Sequence, residues 1–192
     1  MQVRIIEEAV DVLADYSQVP IAFQVETRLR AEPIDKGLGG IQLREEQVEP
    51  SYLKDYDAQP GEGPTRWTKR WDVSHWGVLS AFDHDARVGG AVIAYDTEGV
   101  DMLEGSKEIA ALWDIRVKPE YRGRGVGTRL FQRAVDWAKG KGCSLFKIET
   151  QNINVSACRF YLRQGCELGA INRYAYRELP QEVQLIWYKP IR

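Results

Sequence analysis

Histidine, cysteine and long apolar runs are scarce in this chain, and each shortage removes a class of function. Only two histidines, His75 and His84, occur in 192 residues, which argues against a histidine-rich metal site, and no metal is expected. Three cysteines, Cys143, Cys158 and Cys166, are an odd number at no metal-ligand spacing, and reduced thiols in a cytoplasmic protein are the simplest account. No apolar run is long enough to span a bilayer, and Met1 to Pro20 is acidic without an apolar h-region, so neither a membrane partner nor a signal peptide is expected. Lysine and arginine number 26 against 28 acidic residues, a net charge of −2 with no dense basic run, so nucleic acid is not an expected partner. Internal repeats and low-complexity segments are absent too. A length of 192 residues suits one domain with a sizeable core, expected to run over 1–192.

What the chain does have is a glycine-rich turn between a strand and a helix. Ile109 to Val117 is short, apolar and β-rich, and Lys118-Pro119 ends it. From Val126 to Lys141, the residues Val126, Leu130, Ala134, Trp137 and Ala138 recur at helical spacing until Gly140 and Gly142 stop the pattern. Between them lies Arg122-Gly123-Arg124-Gly125-Val126-Gly127. Glycines there let backbone N–H groups converge, and the helix N-terminus adds partial positive charge, so a phosphate or pyrophosphate is the expected ligand. Gly127-Thr128-Arg129 lacks the Lys-Ser/Thr ending of a Walker loop. The third glycine of a Rossmann fingerprint is missing as well.

The turn reads Arg-x-x-Gly-x-Gly, preceded by Val117-x-Pro119-x-Tyr121, and so resembles the coenzyme A loop of the GNAT acetyltransferase superfamily. A second match follows downstream. Ser144 to Thr150 alternates as a strand, and Asn154, Ala157, Phe160, Tyr161 and Gly165 fit the superfamily pattern Asn-x-x-Ala-x-x-Phe-Tyr-x-x-x-Gly. A short helix is expected there, with Asn154 as N-cap, Ala157, Cys158, Tyr161 and Leu162 on one face, and Gly165 in the left-handed position. Cys166 departs from the usual phenylalanine, which touches packing more than chemistry. The stretch from Ile148 to Tyr188 is further similar to the C-terminal half of streptothricin acetyltransferases. It carries Glu149-Thr150-Gln151, the paired asparagines Asn152 and Asn154, Ala157-Cys158, and Ile186-Trp187-Tyr188. Before Ile109 the likeness is looser, clearest at Pro50 to Tyr56.

Elsewhere the pattern is that of one α/β domain. Gln2 to Ile6 reads as a strand, and Ile21 to Leu29 takes no firm assignment. Pro33 to Gly40 and Gln59 to Pro64 are loops, as is polar Gly99 to Lys107. Trp76 to Phe82 and Arg87 to Tyr95 form a hairpin over Asp83 to Ala86. Two last strands lie near Ala170 to Tyr176 and Val183 to Tyr188. The order of elements predicts a central mixed, mostly antiparallel sheet with helices on both faces.

The resemblance implies an acetyl-CoA-dependent N-acetyltransferase, with acetyl-CoA as cosubstrate and a small-molecule amine as acceptor. It places the thioester contact on the backbone of Ile115, Arg116 and Val117. It places the pyrophosphate on Gly123, Arg124, Gly125, Val126, Gly127 and Thr128, with charge added by Arg122 and Arg124 unless those arginines are merely solvated. By the same register Tyr161 is the candidate acid for the leaving thiolate, against an ordinary half-buried aromatic. Glu149 is the candidate base, against a solvated strand-end carboxylate. Asp114 interrupts an apolar strand, which costs free energy unless the carboxylate has a partner. It is taken as an amine-orienting or water-relay group, with a buried structural hydrogen bond as the alternative. Asn154 is a helix cap that the resemblance also brings to the pantetheine arm. Trp67, Trp71, Trp76 and Trp113 are more often core than pocket, and Tyr174 and Tyr176 carry no assignment. Direct transfer is favoured over a cysteine acyl-enzyme, because no histidine lies near Cys158 in sequence. The expected acceptor is the β-lysine amine of a streptothricin, a resistance function. Alternatives are a polyamine, an amino acid or a protein N-terminus, or an acetyl-CoA sensor without turnover. The sequence allows a homodimer without fixing the oligomeric state.

Overall fold

A computed structural model describes residues 2–191; the ends of the expected 1–192 domain, positions 1 and 192, lie outside the described residues. The chain divides into two compact units, each built from separate stretches. One takes Met1–Ala22, Asp55–Lys147 and Pro190–Arg192, the other Phe23–Lys54 and Ile148–Lys189. In class the protein is mixed α/β with a mostly antiparallel sheet, as its sequence predicts.

In the first unit four strands run antiparallel in the order β1-β4-β5-β6: β1 Val3–Glu8, β4 Gly77–Asp83, β5 Ala86–Ala94 and β6 Ile109–Val117. (β2 and β3 belong to the other unit.) The expected hairpin is therefore present, closed by His84 and Asp85 with His84 at φ 53°. β4 and β5 are buried almost without interruption, so apolar side chains point both ways and both faces are covered. Helix α3, Val126–Gly140, packs on β4, β5 and β6 and buries Leu130, Phe131 and Ala134. On the other face lie α1, Leu13–Tyr16, and α2, Pro64–Arg70, two short helices without a sequence signal strong enough to assign them. Tyr16, Trp67 and Trp76 join Val78, Val92, Ala94 and Ala111 in one cluster, with Trp71 and Trp113 packed against it. The tryptophans are thus core. A Cβ on Gly90 would lie 2.4 Å from the Tyr16 ring and 2.7 Å from Leu79 O, so only glycine lets Tyr16 settle on the strand.

The β5–β6 register slips at one point. Val92 pairs with Asp114, but the next residue, Ile93, pairs with Leu112, leaving Trp113 as the extra residue of a bulge. The bulge changes which side chains reach the Tyr16 face. Ile109 and Ala111 point there before it, and Asp114 and Arg116 after it.

The second unit contains a long hairpin, β2 Phe23–Pro33 with β3 Ile41–Lys54, whose connection is the expected Gly/Pro loop. Its strands are almost wholly exposed or half-buried and carry many charges, with ion pairs such as Arg28–Glu46 at 2.6 Å, which is why the sequence shows no clear alternation there. β7, Leu145–Gln151, starts in the first unit and ends in the second. After it come α4, Val155–Arg163, then β8, Glu167–Asn172, paired antiparallel with β9, Gln184–Pro190. β8 stops at Asn172, short of the expected Tyr176, because Asn172 turns the chain by accepting from Tyr174 N at 2.9 Å. Among the described residues no helix is long and apolar enough to cross a membrane, which says nothing of a β-barrel.

Candidate active site

The glycine turn of the first unit has the geometry of an anion cradle. Val117 ends β6, Pro119–Tyr121 make one 3₁₀ turn, and α3 starts at Val126. Gly123 and Gly125 adopt φ of 71° and 81°, conformations that an L side chain rarely takes, and a Cβ at either would meet no protein atom within 4 Å. Gly125 is the N-cap of α3 and offers no side-chain cap, so the first-turn N–H groups keep their full donor character toward a ligand. These residues fit a pyrophosphate, which needs close backbone approach and convergent donors. Arg122 spends its guanidinium elsewhere: Nε donates to Val117 O at 2.9 Å and a terminal nitrogen to Ala22 O at 3.2 Å. That ties the turn to the strand end. Arg124 is exposed.

Asp114 and Arg116 form a buried ion network in the same unit. Arg116 Nε and one terminal nitrogen donate to the two Asp114 oxygens at 2.8 and 2.7 Å, and Tyr16 donates its O–H to Asp114 Oδ1. Arg116 also grips Asp57 at 2.7 and 3.2 Å and Val19 O at 3.1 Å. The Arg116 side chain is 0% exposed and that of Asp114 5%. Burial works against the guanidinium charge, but Asp114 and Asp57 outweigh it and hold Arg116 firmly cationic. Burial and the Asp114 charge push the Tyr16 phenol well up, so it stays a donor. Both Asp114 oxygens are thus engaged by its own unit, the geometry of the structural alternative weighed for this residue.

In the second unit, β7 presents Glu149, half-buried. Tyr176 donates its O–H to Glu149 Oε1 at 2.6 Å, and Gln184 Nε2 donates to Oε2 at 2.9 Å. Gln151 Nε2 donates to the Tyr176 oxygen at 2.9 Å. Sequence reading left Tyr176 unassigned and placed it on a strand; it sits in the β8–β9 connection instead, where chain folding aims it at Glu149. No local pattern signals that. Asn152 is structural: it donates to Leu29 O at 2.9 Å and accepts from Val183 N at 2.8 Å.

Helix α4 begins as its sequence predicts. Asn154 Oδ1 accepts from Ala157 N at 3.1 Å, a side-chain N-cap, and Gly165 takes φ 74° after the helix. Val155, Cys158 and Tyr161 make its buried face; Leu162, expected there, is 57% exposed. Tyr161 is 5% exposed, its ring 6.3 Å from Trp187. Burial pushes the Cys158 thiol up to about 12, so it carries little thiolate at neutral pH. Cys143, Cys158 and Cys166 are free and buried. Among the described residues no group of three or more histidine, cysteine or acidic side chains is placed to hold a metal ion.

The sequence model of the acetyltransferase (GNAT) family matches residues 41–166, more than half of the chain and parts of both units. The chain belongs to the acetyltransferase (GNAT) family, as its motifs predict. Within that family it is similar to streptothricin acetyltransferase A of Bacillus subtilis (strain 168), 40% identical over 81 residues, 41% of this chain and 47% of that protein. To the streptothricin acetyltransferase of Escherichia coli it is 32% identical over 110 residues, 55% of this chain and 63% of that one. The aligned stretches therefore span from about half to just under two thirds of these relatives. The fold is shared with a nourseothricin acetyltransferase, TM-score 0.76 at 22% identity over 100% of both chains. A putative streptothricin acetyltransferase of Bacillus anthracis str. Ames, solved with acetyl coenzyme A, gives TM-score 0.74 at 27% identity over 98% of this chain and 99% of that one.

Proposed function

We propose that this protein is an acetyl-CoA-dependent N-acetyltransferase acting on a primary amine of a cationic small molecule, by preference the β-lysine amine of a streptothricin. The observation that carries the reading is the open glycine turn at the N-terminus of α3, with Gly123 and Gly125 in conformations that L side chains rarely adopt. The streptothricin-acetylating relatives support the choice of acceptor. Such an enzyme acts as an antibiotic-resistance factor, and three buried free cysteines suit the reducing cytoplasm. Both compact units serve one acetyltransferase domain on this reading.

Acyl transfer to an amine requires a neutral nucleophile, a stabilised carbonyl oxygen and a protonated leaving group. Bound acetyl-CoA supplies the activated acetyl group as a thioester. The turn from Gly123 to Thr128 holds its pyrophosphate by backbone N–H groups, with Arg124 adding charge and Arg122 fixing the turn to β6. The main chain of Ile115, Arg116 and Val117 orients the acyl end, and Asn154 contacts the pantetheine arm while capping α4. Glu149 takes the amine proton, and Tyr161 gives a proton to the leaving sulfur. Asp114 supports the strand by holding Arg116 and Tyr16. Transfer is direct, since the Cys158 thiol is held protonated.

Thiol release from acetyl-CoA, followed across streptothricin, spermidine, lysine and a peptide N-terminus, tests the reading. Amine-dependent release with streptothricin is expected. Tight binding of acetyl-CoA with no release for any amine would mark a sensor instead.

A further inference from the structure

The Glu149 carboxylate is held by uncharged donors alone. Tyr176 reaches Oε1 at 2.6 Å and Gln184 reaches Oε2 at 2.9 Å, and no other hydrogen bond or ion pair to Glu149 exists among the described residues. An ionised carboxylate offers about four acceptor positions, so one on each oxygen stays open. Among the described residues Glu149 has no cationic partner. By contrast, the buried Glu182 of the same unit is paired with Lys54 at 2.5 Å, and Glu45 with Arg159 at 2.5 Å.

Tyr176 is aimed with some care. Gln151 Nε2 donates to the phenol oxygen, so the phenol proton must point to Glu149. The connection that carries it is braced by three turns: Tyr174 N on Asn172 Oδ1 at 2.9 Å, Leu179 N on Tyr176 O at 3.2 Å, and Glu182 N on Leu179 O at 2.8 Å. Its far end is fixed by Val183 N on Asn152 Oδ1 at 2.8 Å.

We infer that Tyr176 is a positioning residue for Glu149, and that with Gln184 it sets this carboxylate as a two-point acceptor for a primary ammonium group. The inference rests on reading Glu149 as the base. A primary ammonium has three N–H donors and can give one to each open oxygen position before it loses a proton to the carboxylate. A tertiary ammonium has one and cannot bridge. Without the phenol, the carboxylate swings, and a misplaced base costs turnover steeply.

The test is a double-mutant cycle on the whole chain, read by steady-state kinetics with streptothricin, thermal melting and acetyl-CoA calorimetry. Tyr176→Phe keeps the ring and should lower kcat/KM roughly 10- to 100-fold, with melting temperature and acetyl-CoA affinity unchanged. Gln184→Met should do the same from the other oxygen. In a Glu149→Gln background, Tyr176→Phe should add less than about twofold, because nothing is left to position. Full additivity in that background, or normal turnover for both Tyr176→Phe and Gln184→Met while Glu149→Gln is impaired, overturns the positioning role alone. Normal turnover of Glu149→Gln overturns the reading of Glu149 as base.

Discussion

Arg116 and Asp114 stand two residues apart on β6 and close a bidentate ion pair whose arginine is fully buried. Without the bulge at Trp113, period-two alternation would direct these two side chains to the face opposite Ile109 and Ala111. The bulge instead delivers both to the Tyr16 side, where Asp57 and Val19 O complete the coordination.

Asp114→Ala should therefore be a stability variant. It leaves the Arg116 charge buried with only the partly exposed Asp57, and breaking such a pair costs about 3–5 kcal/mol. Denaturant unfolding checks it. On activity, Glu149→Gln should be partly relieved at high pH, where more amine is already neutral, and Asp114→Asn should not. The reverse pattern would exchange the roles of the two carboxylates.

Gly125→Val should weaken acetyl-CoA binding by at least about tenfold. The variant forces a β-branched residue into φ 81° and fills the open space that the proposed function gives to the phosphate. Calorimetry with circular dichroism separates lost affinity from lost fold, and unchanged affinity removes the turn from the account.

Tyr161→Phe should lower kcat by about 10²–10⁴-fold with little change in acetyl-CoA affinity, the range for loss of a general acid. The ring is kept, so its packing beside Trp187 is kept too. Near-normal turnover would give the proton to water or another group.

Cys158→Ala should retain turnover, since a thiol pushed up to about 12 is no nucleophile at neutral pH. The same burial gives a pH signature. An unfolded thiol ionises from an ordinary value of 9.0, whereas the folded one resists up to about 12. Its stabilising contribution is complete below pH 9.0 and is lost as pH rises toward about 12, so unfolding at pH 10–11 should be less steeply alkaline in Cys158→Ala than in the parent.

The parts of the fold that were legible in the sequence are those with strong local signals. β6, Ile109–Val117, has the expected bounds, and α3 ends at Gly140, one residue short of its expected end. Asn154 caps α4 because an amide before a helical run has a backbone N–H to satisfy. The β2–β3 hairpin was illegible because its strands are polar on much of both faces. In the candidate site, the glycine turn announces itself by composition. The Tyr176–Glu149 contact does not, since 27 residues separate the partners and only the return of the β8–β9 connection joins them. The partners of Asp114 were equally hidden, because a one-residue bulge leaves no mark in an apolar strand.

The central claim is that the acceptor is a streptothricin amine, and direct competition tests it most plainly. Streptothricin, free lysine and spermidine are mixed at equal concentration with limiting acetyl-CoA, and the acetylated products are counted by mass spectrometry. The ratio of products reports the ratio of kcat/KM. Binding energy from the remote part of the antibiotic should be used at the reacting centre, so acetyl-streptothricin should exceed either other product by at least about 100-fold. Equal labelling of all three amines would contradict the antibiotic assignment.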